Sequence, residues 1–104
     1  LLVSGSTSKA QQTWQDPDCA DVAWDFLPCF SFLQGELLIP TYDCCIQLKD
    51  LNKIAKQKDG TRRICKCIER MVGEEGEMLS SRVEALSGIC HVERSFAISN
   101  RMAC

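Results

Sequence analysis

The sequence predicts an all-α domain: a four-helix disulfide-stapled bundle with an extended C-terminal arm. Three observations predict it. Apolar residues recur at steps of three and four in four separate segments, and no segment carries the alternation of a half-buried strand. Eight of the 104 residues are cysteine, close to the density of a disulfide scaffold. This length corresponds to a single domain. Apolar residues at 45% and charged residues at 25% give a globular balance and argue against disorder. The net charge of −2 provides no overall attraction for nucleic acid. No uncharged apolar stretch approaches the ~20 residues that a membrane-spanning helix needs.

The first helix is expected to open at Asp16-Pro17, an N-cap acceptor followed by a proline at the first helical position. Val22, Phe26, Cys29, Phe30 and Leu33 continue it at helical spacing, with a kink expected at Pro28 and an end at Gly35. Pro40-Thr41 precedes the second helix. Its Cys44/Cys45, Leu48, Leu51 and Ile54/Ala55 form one face, while Lys49, Lys53 and Lys56 recur with the same period on the other. Asp59-Gly60-Thr61 is a break carrying a new N-cap. The third helix presents Ile64, Cys65, Cys67, Ile68 and Met71 and is expected to close at Gly73. Beyond the acidic Glu74–Glu77 segment, Ser81 to Glu84 has the form of a capping box. The fourth helix carries Leu79, Val83 and Leu86 and is expected to stop at Gly88. From Cys90 to Cys104 no period survives, which predicts an extended tail fixed at both ends by disulfides.

The cysteines and the first residues speak to compartment. Zinc favours cysteine pairs two to four residues apart, often with histidine. This chain offers Cys44-Cys45, Cys65-Lys66-Cys67 and the single His91. Four disulfides in an oxidising compartment suit that pattern better than a metal, and no cofactor is expected. Leu1-Leu2-Val3, followed by small polar residues up to Ala10, reads as the tail of a secretory signal or as a cloning remnant. Residues 11–104 then form the domain, with the chain expected to pack only from about residue 16 onward.

The cysteine spacing C-x9-C-x14-CC-x19-C-x-C-x22-C-x13-C resembles that of plant non-specific lipid transfer proteins, with the gap lengths of their type 1 subgroup. The match spans residues 19–104. Pro28 before Cys29 is similar to the family's L-x-P-C, and Leu86–Cys90 is similar to its L-P-G-x-C. Ser95–Ser99 stands where the family has P-Y-x-I-S.

Eight cysteines allow 105 pairings, and spacing alone does not choose among them. The resemblance implies Cys19–Cys67, Cys29–Cys44, Cys45–Cys90 and Cys65–Cys104. Lys66, where the type 2 subgroup usually has an apolar residue, favours this arrangement. The resemblance further implies an internal hydrophobic cavity that carries fatty acids or lysophospholipids without catalysis. It implies a secreted, extracellular protein of the apoplast or cell wall. The partners implied are a fatty acid or phospholipid ligand and a transient membrane surface, for a monomer that binds no nucleic acid.

By position, the lining residues would be Val22, Phe26, Phe30 and Leu33 in the first helix, and Leu51 and Ile54 in the second. Ile64, Ile68, Met71 and Val83 would continue the lining, with Phe96 and Ile98 in the arm. Helical spacing on its own reads the same residues as plain core.

Head-group contact in this family is associated with an Asp-Arg dipeptide, but here those places hold Gly60 and Thr61. Arg62 and Arg94 are the candidates that remain. Phe26, Phe30 and Phe32 are bulkier than the family's usual aliphatics and would fill part of a tunnel. Residues 16–43 hold six acids and no base, whereas 49–70 hold eight bases and three acids. The basic half is either a solvated helix face or a surface for anionic membrane.

Catalysis is not expected. With its cysteines bridged, His91 has no thiol to activate. The serines lack a G-x-S-x-G setting, and nothing suggests paired carboxylate work in Glu74–Glu77. A protease or amylase inhibitor, or a storage or defence protein, shares a similar cysteine skeleton and is the alternative function. Lys58 and Arg62-Arg63 would be its candidate contact residues.

Overall fold

The computed structural model describes residues 11–104. The expected signal-like segment, residues 1–10, lies outside the described residues. A short 3-10 turn at Thr13–Gln15 is followed by α1 (Ala20–Leu33), α2 (Tyr42–Ala55), α3 (Gly60–Glu75) and α4 (Ser80–Cys90). The arm from His91 to Cys104 carries no regular element. There is no strand among the described residues, so the all-α four-helix class holds.

Four disulfides join Cys19 to Cys67, Cys29 to Cys44, Cys45 to Cys90 and Cys65 to Cys104. They close loops of 15 to 48 residues, and such bridges in small domains contribute about 2–4 kcal/mol apiece. Cys65 and Cys67 lie two residues apart on α3, about 200° around its axis. One therefore reaches the chain before α1 while the other holds the end of the arm.

The helix boundaries differ from expectation at several points, each for a local reason. α1 begins at Ala20 rather than at Asp16-Pro17. The Asp16 side chain accepts the Asp18 N–H at 3.0 Å and so closes a local turn ahead of the helix. Pro28 lies inside α1, which continues through it to Leu33. Gly35 then provides the left-handed residue (φ 88°) that ends the helix. Thr41 caps α2 as its position suggests, accepting the Cys44 N–H at 3.1 Å.

α3 passes through Gly73, which is exposed, and ends at Gly76 with φ 104°. A glycine costs a helix only about 1 kcal/mol relative to alanine, so position 73 is tolerated. The Ser81–Glu84 capping box does not form, because Leu79 is the N-cap residue and Ser81 already lies within α4. That helix also passes Gly88 and stops at His91, held at φ 56°. The Val92 N–H then closes on the Ser87 carbonyl at 3.1 Å, a Schellman-type ending. The stretch before residue 16 is also more ordered than expected. Thr13 is 1% exposed, and its N–H donates to the Glu74 carboxylate at 3.0 Å.

One apolar cluster runs through the molecule. It includes Val22, Phe26 and Leu33 of α1, Leu48 and Leu51 of α2, Ile64 and Ile68 of α3, and Leu86 of α4. All eight are 0% exposed, and each contributes on the order of 1.5–3 kcal/mol through its burial. Lys49, Lys53 and Lys56 are exposed on the outer side of α2, as the period predicts.

The α2–α3 junction is tight. A Cβ placed on Gly60 would lie 1.9 Å from the Ile54 carbonyl oxygen. Gly60→Ala should therefore force the two helices apart and cost about 1–3 kcal/mol or more in chemical denaturation. An unchanged midpoint would contradict this close approach.

Across α1 and α2, Asp25 meets Asp50. The Asp25 Oδ2 atom is buried with no donor against it. Burial first, then the Asp50 side chain and the charges of Asp50 and Asp21, push its carboxyl up to about 8. The folded value thus lies above the unfolded one, about 3.9. Asp25 favours the fold most below pH 4, and that advantage is lost as pH rises toward 8. Asp25→Asn should therefore gain stability on the parent as pH rises through this window and keep a constant lead above it. Parallel stability–pH curves for the two proteins would refute the assignment.

Candidate functional site

The expected lining residues are drawn together: eleven of the twelve are buried, and Val83 is half-buried. They do not all border open space. Val22, Phe26, Leu33, Leu51, Ile64 and Ile68 are 0% exposed and touch no space that holds a water molecule. Phe26 and Phe30 meet edge to face with centroids 5.2 Å apart within the buried cluster. Residual exposure remains at Phe30 (4%) and Ile54 (5%) and, in the arm, at Ile98 (6%) and at Val92 and Phe96 (both 7%).

A depression of about 500 Å³ opens where α4 meets the arm. Val83 and Ile98 provide its apolar surface, with Ser80, Glu84, Asn100 and Arg101 among the polar residues around it. Its volume falls within the usual range for small-ligand sites, about 300–1,000 Å³.

The arm that forms one side is held by side-chain amides. Asn52 of α2 donates to the Glu93 carbonyl at 2.8 Å and accepts from the N–H and hydroxyl of Ser95, both at 2.9 Å. Asn100 accepts the Met78 N–H at 2.7 Å and donates to the Met78 carbonyl at 2.8 Å. These latches carry no periodicity, and sequence reasoning missed both asparagines. Asn52 stands on α2 and Asn100 in an otherwise patternless arm, and neither position marks its partner in the sequence.

Arg94 lies along the same seam. Its Nε donates to the Ser87 hydroxyl at 2.9 Å and its Nη1 to the Phe96 carbonyl at 3.2 Å. The guanidinium stands 5.9 Å from the centre of the Phe96 ring. Burial pulls its pKa down, and none of the three ion pairs among the described residues includes it. A guanidinium has five N–H donors, so this half-buried cation retains donors for an anionic group.

Arg62 is placed elsewhere. It is exposed and lines a separate groove of about 430 Å³ beside the Cys19–Cys67 bridge, with Arg63, Lys66 and Arg70. None of the twelve expected lining residues borders that groove. Arg63 is committed to Asp21 at 2.7 Å, and Arg70 to Asp16 at 2.6 Å. The Arg63 guanidinium holds Asp21 below the usual carboxylate range. The Asp18 N–H, followed by Arg70, does the same for Asp16. The two head-group candidates therefore do not converge, and only Arg94 accompanies the expected lining.

If the latches hold the seam closed, Asn100→Ala should lower stability by about 1–3 kcal/mol, from two lost hydrogen bonds. It should also speed hydrogen exchange at the Met78 N–H, which donates to Asn100, while leaving α1 protected. Exchange that rises uniformly across the molecule would show that Asn100 has no special hold on the arm.

Comparison with known proteins agrees with this architecture. The model of the protease inhibitor/seed storage/LTP family matches residues 19–104. "Non-specific lipid-transfer protein 13" of Arabidopsis thaliana is 37% identical over 90 residues, covering 85% of this chain and 71% of that protein. The solved structure of the allergen Art v 3 superposes with a TM-score of 0.70 at 27% identity, covering 83% of this chain and 92% of that one. The barley non-specific lipid transfer protein 1, solved in complex with a lysophosphatidylcholine, gives a TM-score of 0.69 at 22% identity and covers 83% and 93%. With its eight cysteines paired as described and its four helices in this order, the chain belongs to the protease inhibitor/seed storage/LTP family and, within it, to the non-specific lipid-transfer proteins.

Proposed function

We propose that this protein binds a single-chain lipid, a fatty acid or lysophospholipid, beneath its C-terminal arm and carries it without covalent chemistry. The observation that carries the reading is the seam itself. Half-buried Val83 packs against the buried cluster that includes Phe96 and Ile98, and half-buried Arg94, which joins no ion pair among the described residues, stands over the Phe96 ring. The barley relative solved with lysophosphatidylcholine supports the ligand class. The twelve residues named from the sequence are the proposed lining. Those nearest the arm border the first part of the chain, and the zero-exposure residues deeper in must separate to admit the rest. Arg94 is the proposed head-group contact, and Arg62 is not.

The energetics are adequate. About 0.8 kcal/mol per methylene gives an alkyl chain of ~16 carbons about ten or more kcal/mol gross. Ordering the chain and losing its free translation take back a large share. Micromolar binding with weak selectivity for chain length is the expected result, because no hydrogen bond reads a methylene. Four disulfides suit an oxidising, extracellular setting, and a monomer suffices for a site built from one chain. Of the inhibitor alternative's candidate residues, Arg62-Arg63 lies within α3 rather than on an extended loop that a protease could clamp, and Lys58 stands on the short exposed turn before it.

Displacement of a fluorescent fatty acid tests the reading. Ile68 is too deeply packed for a charged substitution to report on lining, whereas half-buried Val83 is suitable. Val83→Arg should weaken uptake more than about tenfold while the four disulfides remain. Arg94→Gln should weaken fatty acids more than long-chain alcohols. Full affinity in Val83→Arg would overturn the placement of the site, and equal losses for acid and alcohol would remove Arg94 from the head group.

A further inference from the structure

The α1–α2 connection presents apolar side chains to solvent. Leu38 is 86% exposed and Ile39 is 68% exposed, and Tyr42 at the start of α2 is 80% exposed. Leu37 and Leu79, the latter packed against Gly35, are also substantially exposed. The loop is built rather than loose. The Glu36 and Leu37 N–H groups both donate to the Ser31 carbonyl, at 2.8 and 3.2 Å. Arg82 of α4 donates to the Phe32 carbonyl at 3.1 Å and to the Leu37 carbonyl, with its guanidinium 4.7 Å from the Phe32 ring centre. A cation fixed on the inner side thus holds the apolar tip outward, where its burial needs an outside partner.

The charge pattern indicates that partner. On α2, Tyr42 is followed at helical intervals by Ile46, Lys49, Lys53 and Lys56. Spacings of four, three, four and three keep all five within about 40° of one line along the helix. The outer stripe of α2 is therefore apolar at the end beside the loop and cationic over the rest. All three lysines are exposed, and none takes part in an ion pair among the described residues. Apolar groups that enter the acyl boundary, continuous with lysines at the depth of the phosphates, are what an anionic lipid surface accommodates.

We propose that the α1–α2 loop and the outer stripe of α2 form a docking surface for an anionic lipid bilayer, the loop tip inserting and the lysines lying on the head groups. The proposal rests on the carrier reading, since it supplies the membrane encounter that lipid exchange requires, but it has its own test. Vesicles of phosphatidylcholine alone and of phosphatidylcholine with phosphatidylserine are co-sedimented with the full chain. The parent should favour the anionic vesicles by more than about tenfold, and added salt should erase the preference.

The double substitution Leu38→Asp with Ile39→Asp should abolish binding to both compositions. Lys49→Glu with Lys53→Glu and Lys56→Glu should remove the preference. Uptake of monomeric fatty acid in vesicle-free solution should be unchanged in both variants, which also shows that they fold. A parent that ignores anionic vesicles, a lysine variant that keeps the preference, or loop-dependent self-association without vesicle binding would each overturn the proposal. A parent that docks on vesicles yet takes up no fatty acid would sink the carrier reading and leave the docking surface standing.

Discussion

The structure depends on tethering a segment that has no regular structure of its own. Among the described residues, no backbone-to-backbone hydrogen bond involves the arm beyond Val92. Released from its ends, such a segment would recover on the order of 1–2 kcal/mol of backbone entropy per residue. Cys45–Cys90 and Cys65–Cys104 prevent that release, and the amides of Asn52 and Asn100 fix what lies between. Only because the arm is held can Phe96 and Ile98 close the open side of a helical shell. The same constraint concentrates adaptability there: the helices are bound by mutual packing, the arm by a few discrete points.

Much of this was legible in the sequence because it was periodic or covalent. The α2 face of Cys44, Leu48, Leu51 and Ile54 follows directly from helical spacing, and all four residues are buried. The cysteine gaps carried the family, and through it a pairing that geometry then displays. What escaped was local and aperiodic. Helix ends were set by backbone conformation at Gly76 and His91 rather than by the nearest glycine. Asn52, Asn100 and Arg82 act on carbonyls distant in the chain, and no one-dimensional pattern announces such a contact. The pairing of Asp25 with Asp50 likewise needs the α1–α2 crossing to exist before it can be seen.

Gly60 shows how one position can redirect a site. The sequence departs there from the family's Asp-Arg dipeptide, and Arg62 and Arg94 remained as rival substitutes. The geometry gives a reason for the glycine: the start of α3 lies against the Ile54 carbonyl, where no side chain fits. With that corner occupied by backbone, the neighbouring basic residues turn to another groove, and two of them are neutralised by Asp16 and Asp21. On the carrier reading, charge for a lipid head group comes from another element, and half-buried Arg94, which joins no ion pair among the described residues, is the proposed contact.

A closely buried apolar cluster and a carrier function are compatible if the guest replaces packing rather than occupying an empty hole. A void as large as an alkyl chain would cost the lipid-free protein heavily, since lost core volume destabilises by about 24 cal/mol per Å³. Drawing Phe96 and Ile98 away from the cluster exposes side chains worth about 1.5–3 kcal/mol each. That is a fraction of what a long hydrocarbon chain returns on burial. On the carrier reading, the disulfides therefore act less by propping a cavity open than by limiting the movement. The arm yields first, between its two bridges, the disulfides limit how far the deeper side chains of the helices separate, and the apolar surface exposed when a lipid departs is covered again by a segment that could never travel far.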